Sequence, residues 1–369
     1  MGFNCGIVGL PNVGKSTLFN AISETSKAEA ANYPFCTIEP NVGVVAVPDP
    51  RLDQLAALYH PAKVTPTSLE FVDIAGLVAG ASRGEGLGNQ FLSHIRQVQA
   101  IVHVLRCFDA GDVVHVAGGV DPERDAAIVE TELCLKDLET VEKRREREQK
   151  AAKGTGKSAE EARANLALLD RVHGGLDAGT PLSAQGLGSE EKARLSDLFL
   201  LTGKPVLYVA NVSEEQLGAG DDPRVAAVQR LAGKRGAPAL VICAALEAEI
   251  ARLPREERAD FLAASGVGEP GLSRLVRAGY ALLGLVTFFT AGEDECRAWT
   301  LREGTKAPQA AGVIHTDFER GFVKAEICRV EELLAAGSEA ALRSAGHLRI
   351  EGKDYVVRDG DVAHFRFAV

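Results

Sequence analysis

The sequence predicts an α/β fold with a mostly parallel sheet, an inserted helical arm and a carboxyl-terminal α+β module of ubiquitin-like size. Three observations predict it. An apolar strand at 3–8 leads into a glycine-rich loop and then into a segment with helical spacing. Further apolar strands alternate with helical stretches up to about residue 283, as in parallel sheets. From Leu285 onward, short strands alternate with helical turns instead.

The first strand runs into Gly9-x-x-x-x-Gly14-Lys15-Ser16, the pattern of a phosphate-binding loop. Gly9 and Gly14 allow the backbone to turn so that successive N–H groups point at an anion. Lys15 supplies a positive charge for the β- and γ-phosphates, and Ser16 offers a hydroxyl to Mg²⁺. The helix that begins near Lys15 directs its positive end at the phosphates. The sequence therefore predicts phosphate binding at 9–17.

The segment after this helix contains Tyr33-Pro34-Phe35-Cys36-Thr37, and its prolines oppose a helix. P-loop hydrolases keep their first mobile loop here. Thr37 is placed to give a second hydroxyl to Mg²⁺ and a backbone N–H to the γ-phosphate. The alternative is an ordinary loop threonine.

A strand at 68–72 ends in Asp73-Ile74-Ala75-Gly76-Leu77. Asp73 is placed to hold Mg²⁺ through water, and Gly76 lets its own N–H approach the γ-phosphate. Leu77 lies where many nucleotide-hydrolysing switches keep a glutamine that orients the attacking water. Leucine has no polar atom, so either turnover is slow or another group, or a partner, orients the water.

A long helical section from about 125 to 202 is dense in charge and carries a narrow apolar stripe that includes Leu135, Leu138 and Val141. A break at Gly154-Thr155-Gly156 divides it into two helices. The pattern predicts an antiparallel coiled-coil arm inserted between two strands of the sheet. Its charged surface is either simply solvated or a docking surface for RNA.

A strand at 205–210 ends in Asn211-Val212-Ser213-Glu214, at the sheet edge where open α/β folds bind ligands. Guanine-specific switches place N-K-x-D at this point. Here Val212 replaces the lysine, and Glu214 replaces the aspartate with a carboxylate about one methylene too far out. An apolar side chain and a free backbone at Val212 suit adenine at least as well as guanine. The alternative is a plain strand-to-loop junction.

Composition excludes several classes of protein. The chain of 369 residues has no apolar run long enough to span a membrane, and its amino terminus leads directly into a strand. Its net charge of -10 argues against a general nucleic-acid coat, although not against a local basic patch. The 7 scattered cysteines form no C-x-x-C pair and predict buried thiols in a reducing cytosol. We therefore expect a cytoplasmic protein with no membrane partner.

The carboxyl-terminal module begins at about 284. Its predicted strands are 286–290, 295–301, 321–327, 347–350, 354–357 and 363–367. We accordingly expect one domain at 1–283, which carries the helical insertion at about 125–202, and a second domain at 284–369.

Together, these segments resemble the Obg-like ATPase (YchF-type) family of P-loop proteins. The runs that carry the resemblance are Gly9-Leu10-Pro11-Asn12-Val13-Gly14-Lys15-Ser16-Thr17, Asn32-Tyr33-Pro34-Phe35-Cys36-Thr37-Ile38-Glu39-Pro40-Asn41, Asp73-Ile74-Ala75-Gly76-Leu77, Gly84-Glu85-Gly86-Leu87-Gly88-Asn89, Asn211-Val212-Ser213-Glu214 and Ala307-Pro308-Gln309-Ala310-Ala311-Gly312 through Gly360-Asp361. The resemblance implies a G domain followed by a TGS domain, and ATP rather than GTP as the preferred nucleotide. It also implies a translation-linked role with contact to the ribosome, for which we expect the large subunit. RNA contact through the arm and the TGS domain is a separate expectation, although the charge of the residues from 284 onward does not indicate nucleic-acid binding.

Carried over by position, the resemblance implies phosphate contacts by Asn12, Val13, Gly14, Lys15, Ser16 and Thr17. It implies Mg²⁺ contacts by Ser16 and Thr37, and base contacts by Asn211 and Val212. Asn12 is similar to P-loop asparagines that help to hold K⁺ beside the phosphates, which makes K⁺ a second candidate cofactor. For the residue that orients water we choose His115, in a glycine-flanked loop, with His94 second. The alternative for His115 is a surface position without function.

The predicted function is a slow, Mg²⁺-dependent ATPase that cycles between two states, with Lys15, Gly76 and His115 as its catalytic residues. One alternative is a GTPase of the wider Obg class, because Glu214 could still reach guanine. The other is a ribosome- or RNA-binding adaptor in which nucleotide is a structural ligand.

Overall fold

The computed structural model describes residues 2–29, 41–74, 87–109, 119–217 and 220–368, with the backbone alone at 87–90 and Arg255. By their contacts, the described residues form two compact units. The first lies within Met1–Thr25, Ile38–Gly43 and Glu70–Arg274, and the second within Ser26–Thr37, Val44–Leu69 and Leu275–Val369. Across the described ranges, no helix is both long and apolar enough to cross a membrane.

The strands of the described residues form two sheets. They are β1 (Asn4–Val8), β2 (Val42–Ala46), β3 (Lys63–Thr65), β4 (Ser68–Asp73), β5 (Ala100–Arg106), β6 (Val206–Asn211), β7 (Ala239–Ile242), β8 (Leu285–Thr290), β9 (Glu295–Arg302), β10 (Phe322–Arg329), β11 (Arg349–Glu351) and β12 (Asp361–Phe367).

The described residues also form fifteen α-helices. They are α1 (Lys15–Glu29), α2 (Pro50–Tyr59), α3 (Leu87–Gln97), α4 (Pro122–Ala151), α5 (Lys157–Asp177), α6 (Ser189–Leu195), α7 (Glu214–Leu217), α8 (Pro223–Arg235), α9 (Ala244–Arg252), α10 (Arg255–Ala264), α11 (Gly271–Leu282), α12 (Ala307–Ile314), α13 (Thr316–Arg320), α14 (Val330–Ala336) and α15 (Glu339–Ser344).

The first sheet has the order β2-β4-β1-β5-β6-β7. β1 pairs in parallel with β4 and β5, β5 pairs in parallel with β6, and β6 with β7. β5 is buried at every residue, as expected of a central strand whose sheet is covered on both faces. The prediction of a mostly parallel sheet is confirmed. The carboxyl ends of β1, β4, β5 and β6 therefore share one edge, which is the ligand-binding edge of open α/β sheets.

The helical arm lies between β5 and β6, as predicted. Its first helix, α4, begins at Pro122, and the side chain of Asp121 caps it by accepting from the N–H of Arg124 at 3.1 Å. Farther along α4, the buried carboxylate of Asp137 accepts from the N–H of Leu201 and of Thr202, each at 2.8 Å, and from the Thr202 hydroxyl at 2.7 Å. One buried carboxylate thus fixes the segment that returns from the arm to β6.

The arm has its own apolar core. α4 and α5 bury side chains against each other and against the short helical turns that precede β6. The buried members of this core are Cys134, Val141, Leu168, Leu169, Val172, Leu176, Leu182, Leu187, Leu195 and Leu200.

The second sheet has the order β11-β10-β12-β8-β9-β3. The predicted strand at 354–357 is wrong, because this segment makes only an isolated bridge between Lys306 and Val356. α2 and β3 were not predicted. β3 joins the sheet by pairing Lys63–Thr65 in parallel with β9, a partner more than two hundred residues away by numbering, so no local pattern identifies it.

His103 is a buried imidazole on β5. Its ring lies 5.7 Å from the ring of Tyr208, and its Nε2 has no hydrogen-bond partner among the described residues. The Tyr208 hydroxyl donates to Glu130 of α4 at 2.6 Å, and Arg235 of α8 donates to the same carboxylate at 2.5 Å. Burial lowers the pKa of His103 to about 4, although the charge of Glu130 opposes the shift.

We expect His103→Leu to reduce the acid sensitivity of the fold. The pKa of His103 is lower in the folded state than in the unfolded state. The neutral, buried ring therefore contributes fully to the unfolding free energy above about pH 6.5, and this contribution is lost as the pH falls towards about 4. Between pH 7.5 and pH 4.5, the wild type should lose about 2–3 kcal/mol more unfolding free energy than the variant. Urea titrations of nucleotide-free protein measure this difference. The exposed His347→Leu is the control and should show the wild-type dependence of unfolding free energy on pH. The same dependence in His103→Leu and wild type would contradict the role given to His103.

Candidate functional site

The loop between β1 and α1 adopts a backbone that favours glycine at two positions. Gly9 has a φ of 156° and Gly14 a φ of 93°. A Cβ at residue 9 would lie 2.5 Å from the carbonyl oxygen of Val104, and a Cβ at residue 14 would overlap the side-chain nitrogen of Asn211. Asn12 also has a positive φ, of 63°, which asparagine tolerates better than most residues. The backbone at 9–14 is therefore fixed by close neighbours and by residue type.

Lys15 is the first residue of α1, and its side chain is only 8% exposed. Burial lowers the pKa of Lys15, while the nearby carboxylate of Asp73 opposes that shift. The ammonium group thus lies at the positive end of a helix with little water around it. An anion bound there would stabilise the charged form of the ammonium group, which burial disfavours.

Asp73 ends β4, next to β1, where it pairs in register with Ile7. Burial raises the pKa of its carboxyl group, and the charge of Lys15 opposes the shift. Its Oδ1 is buried and has no hydrogen-bond partner in the part of the chain that the structure describes. An unpaired carboxylate oxygen beside a phosphate loop, with the exposed hydroxyl residue Ser16 at the start of α1, is a donor set that fits Mg²⁺.

Asn211 braces the phosphate loop from the end of β6. Its side chain is 4% exposed; Nδ2 donates to the carbonyl of Val13 at 2.8 Å, and Oδ1 accepts from the N–H of Ala244 at 3.0 Å. One donor and one acceptor of this amide are therefore engaged within the protein. The structure gives Asn211 a positioning role that the motif comparison did not predict.

Val212 differs from the expectation. Its side chain is buried in the cluster that contains Tyr208, Cys243 and Leu246, and its N–H donates to the carbonyl of Ile242 at 2.9 Å. The prediction of an apolar side chain and a free backbone beside the base is therefore wrong for the side chain and for the N–H. The N–H is engaged because the parallel pairing of β6 with β7 extends to residue 212, and the side chain is buried because it packs in this apolar cluster.

Arg106 is a site residue that the sequence analysis missed. It is the last residue of β5 and is buried; its Nη1 donates to the carbonyl of Asn12 at 3.5 Å, and its Nε donates to the carbonyl of Phe108 at 3.1 Å. The guanidinium carbon also lies 4.7 Å from the centre of the Phe108 ring. The available signal was an arginine at the end of a mostly apolar strand that neighbours the phosphate-loop strand.

The remaining predicted residues divide into two groups. Thr37, Gly76, Leu77 and His115 lie outside the described residues. His94 is exposed on α3, and Glu214 is exposed at the start of α7.

The parallel sheet, the glycine-dependent loop at its ligand edge and the buried lysine at the start of α1 define a P-loop nucleotide-binding protein of the GTPase fold. The family described as "50S ribosome-binding GTPase" matches residues 4–144. The carboxyl-terminal family of YchF GTPases, described as a protein of unknown function, matches residues 285–368.

Relatives resemble the whole chain. It is 53% identical over 369 residues to "Ribosome-binding ATPase YchF" of Haemophilus influenzae and 52% identical over 370 residues to the Bacillus subtilis protein of the same name, with 100% of both partners covered in each comparison. The solved "Schizosaccharomyces pombe YchF GTPase" superposes with a TM-score of 0.91 at 40% identity, covering 99% of this chain and 98% of that one. The chain belongs to the YchF family, and the resemblance inferred from its motifs is confirmed.

We expect Asn211→Ala to weaken nucleotide binding. It leaves the Val13 carbonyl and the Ala244 N–H buried without their partners, at a cost of about 1–3 kcal/mol, and it frees the phosphate loop to relax. Isothermal titration calorimetry with ATP should show about a tenfold or greater loss of affinity. Asn211→Asp, which keeps the acceptor for Ala244 but loses the donor to Val13, separates the two bonds. Wild-type affinity in both variants would contradict the positioning role.

Proposed function

We propose that this chain is a nucleotide-binding ATPase that acts as a slow molecular switch and binds ribosomes. The observation that carries the nucleotide part is the loop in which glycine is required at residues 9 and 14, next to the buried ammonium of Lys15. Backbone N–H groups and a buried cation at a helix N-terminus suit a polyphosphate. The ribosome part rests on full-length relatives that are named ribosome-binding ATPases.

The proposed phosphate ligands are Asn12, Val13, Gly14, Lys15, Ser16 and Thr17. Lys15 provides charge to the β- and γ-phosphates, and the loop N–H groups hold their oxygens. In phosphoryl transfer, positioning and charge neutralisation account for most of the catalysis, so these residues would carry it without covalent chemistry.

The proposed Mg²⁺ ligands are Ser16, Thr37 and, through water, Asp73. The support is the buried Asp73 Oδ1 that lacks a partner in the described ranges, together with the preference of Mg²⁺ for hard oxygen donors. When bound, Mg²⁺ would neutralise charge on the phosphate oxygens. A K⁺ ion near Asn12 is a separate proposal that rests on the motif resemblance.

The proposed base preference is adenine. Asn211 and Val212 remain the candidate base contacts. The side-chain amide of Asn211 and its carbonyl, which accepts from the N–H of Cys107 at 2.8 Å, are engaged within the protein, and the Val212 side chain is buried. We therefore propose that the backbone carbonyl of Val212 contacts the base. A lysine that would cover a guanine is absent at position 212. A GTPase is the second candidate, since Glu214 is exposed at the start of α7 and the Schizosaccharomyces pombe relative is titled a GTPase.

Paired titrations of nucleotide-free protein with ATP and GTP distinguish these candidates. We expect tighter binding of ATP, because no side chain at 212–214 repeats the lysine and aspartate that recognise guanine. Calorimetry in Mg²⁺ and K⁺ buffer measures both affinities under identical conditions. Tighter binding of GTP, together with its loss in Glu214→Ala, would establish the GTPase instead.

Gly76 and His115 are the further proposed catalytic residues. The N–H of Gly76 would approach the γ-phosphate, and His115 would orient the attacking water, since Leu77 has no polar atom for that task. The hydrophobic residue at position 77 also accounts for the proposed slow turnover.

We expect Lys15→Ala to abolish nucleotide turnover and to weaken ATP binding about 10- to 100-fold, because it removes a charge-assisted contact to the phosphates. Phosphate release and ATP affinity, measured with and without ribosomes, test this. The exposed Lys234→Ala on α8, outside the arm, is the matched control and should behave as wild type. Normal binding and hydrolysis by Lys15→Ala would refute the site.

The proposed partner on the ribosome is the large subunit, and the proposed RNA contacts are the arm and the domain at 284–369. A cytoplasmic location follows from ribosome binding.

The division into a G domain at 1–283 and a TGS domain at 284–369 likewise stands as a proposal. The second compact unit contains residues 275–369 together with residues 44–69. It therefore combines segments from both proposed domains.

The adaptor alternative makes a different kinetic prediction. If nucleotide is only a structural ligand, phosphate release in Mg²⁺ and K⁺ should equal background with and without ribosomes, while ribosome binding persists in Lys15→Ala.

A further inference from the structure

The second sheet contains a gap beside β12. β12 pairs with β10 along its whole length, from Asp361 to Phe367. On its other side it meets β8 only at Val362, opposite Phe289, and through the bond from the Gly360 N–H to the Thr287 carbonyl. β8 ends at Thr290, and the chain then turns into β9. On that side, 363–367 therefore have no strand next to them in the part of the chain that the structure describes.

A cavity of about 440 Å³ lies beside this part of β12, and we refer to it as the β12 cavity. One wall is the turn between β8 and β9, from Thr290 to Glu295, and the opposite wall is β12 from Val362 to Phe367. Helices α2, α13 and α15 complete it with Tyr59, Phe318 and Glu339. A cavity bounded by a strand edge is shaped for an extended peptide, since backbone N–H and C=O groups along such an edge can pair with a further strand.

The charge of the β12 cavity is acidic. Five carboxylates line it, and no lysine or arginine does within the described residues; the carboxylates are Glu293, Asp294, Glu295, Glu326 and Glu339. Glu326 already pairs with Arg343 and Arg366, each at 3.2 Å, and Glu295 lies 3.5 Å from Lys63. Glu293 and Asp294 are exposed on the turn and form no ion pair with the described residues. Glu339 in turn lies 3.9 Å from Arg343. Glu293 and Asp294 are therefore the carboxylates left to attract a cation.

A metal ion explains the cavity less well than a peptide. Glu326, Glu339 and His364 do bring three possible ligand atoms within 4.8 Å of one another. However, the two guanidinium groups on Glu326 already neutralise it and would repel a divalent cation. The aromatic lining also favours an organic cation over a metal.

Aromatic rings also line the β12 cavity. Trp299, Phe318, Phe365 and Phe367 line it, and the rings of Phe318 and Phe367 stack at 3.9 Å. The guanidinium of Arg297 lies 3.9 Å from the centre of the Trp299 ring, so this ring already binds a cation of the proposed kind. Burial, followed by the charge of Glu339, raises the pKa of Tyr59 to about 12, so the phenol stays neutral at physiological pH.

We propose that the β12 cavity binds an extended basic segment of another protein, which pairs with the free edge of β12 and places lysine or arginine side chains against Glu293 and Asp294. The strand edge provides affinity through backbone hydrogen bonds, and the alternating side chains provide specificity. RNA is disfavoured, because its phosphates would face carboxylates without a lysine or arginine on the cavity wall. This inference is independent of the nucleotide site.

The single tryptophan of the chain makes the proposal directly measurable. Trp299 lines the cavity, so tryptophan fluorescence of the full-length protein reports its occupancy. The probe is a short capped peptide that alternates valine and arginine. We expect a saturable change in fluorescence that weakens with added salt. The same peptide with glutamate in place of arginine should not bind.

Two comparisons separate charge from strand pairing. Glu293→Lys with Asp294→Lys should weaken binding of the basic peptide about tenfold or more, whereas Glu256→Lys with Glu257→Lys, a second pair of adjacent exposed carboxylates, should leave it unchanged. A peptide N-methylated at alternate amides should also bind more weakly, because it cannot form the ladder. Equal binding of the acidic and basic peptides, no effect of the charge reversal, no effect of N-methylation, or preferential binding of single-stranded RNA would each overturn the proposal.

Discussion

The side-chain amide of Asn211 is the contact on which the geometry of the phosphate loop depends. It holds the carbonyl of Val13, while the guanidinium of Arg106 reaches the carbonyl of Asn12. β5 and β6 pair so that Arg106 lies opposite Asn211, and two neighbouring strand ends thereby engage two successive carbonyls of the loop. Because each peptide unit is planar, a carbonyl held towards the protein leaves the N–H of the same unit directed away from it. The loop thus presents donors to an anion before any nucleotide arrives, and residue 14 must be glycine because the Asn211 amide occupies the space of its side chain.

Lys15 and Asp73 supply the electrostatic counterpart of this geometry. Burial disfavours the charged form of each, and each is the group that opposes the shift of the other. Two partly desolvated opposite charges of this kind are weak support for stability, since desolvation offsets much of the attraction. It is better explained by a ligand that carries both signs of charge. A polyphosphate would neutralise the ammonium, and a divalent cation on the phosphates would satisfy the unpaired Asp73 oxygen. The site is therefore electrostatically incomplete within the described residues, and the proposed ligand has the charges it lacks.

Local patterns predicted much of this protein, and long-range contacts account for the differences. The phosphate loop, the parallel sheet and the two helices of the arm follow from short sequence periods, and the motif resemblance identified the family. Sequence reasoning failed where the role of a residue depends on what lies across the sheet. It placed the Val212 side chain beside a base, but that side chain packs in the cluster with Cys243 and Leu246, and its N–H pairs with Ile242 of β7. It overlooked Arg106, whose partner is a carbonyl on another segment. It assigned a strand at 354–357, where turn-forming residues permit only one bridge. For Val212 and Arg106 the deciding interaction joins residues far apart in sequence, which no local pattern encodes.

The arm is connected to the two strands whose ends hold the phosphate loop. α4 follows β5, and the segment after α5 returns to β6, so the arm is inserted between the strands that end in Arg106 and Asn211. Its base is tied to β6 by the bond of Glu130 to Tyr208 and to α8 by the bond of Glu130 to Arg235, and its return segment is fixed by Asp137. A partner that displaced α4 would therefore act on both strands that hold the phosphate loop. Thermodynamic linkage makes the effect mutual: whatever free energy arm binding contributes to the nucleotide affinity, nucleotide binding contributes equally to the affinity of the arm for its partner.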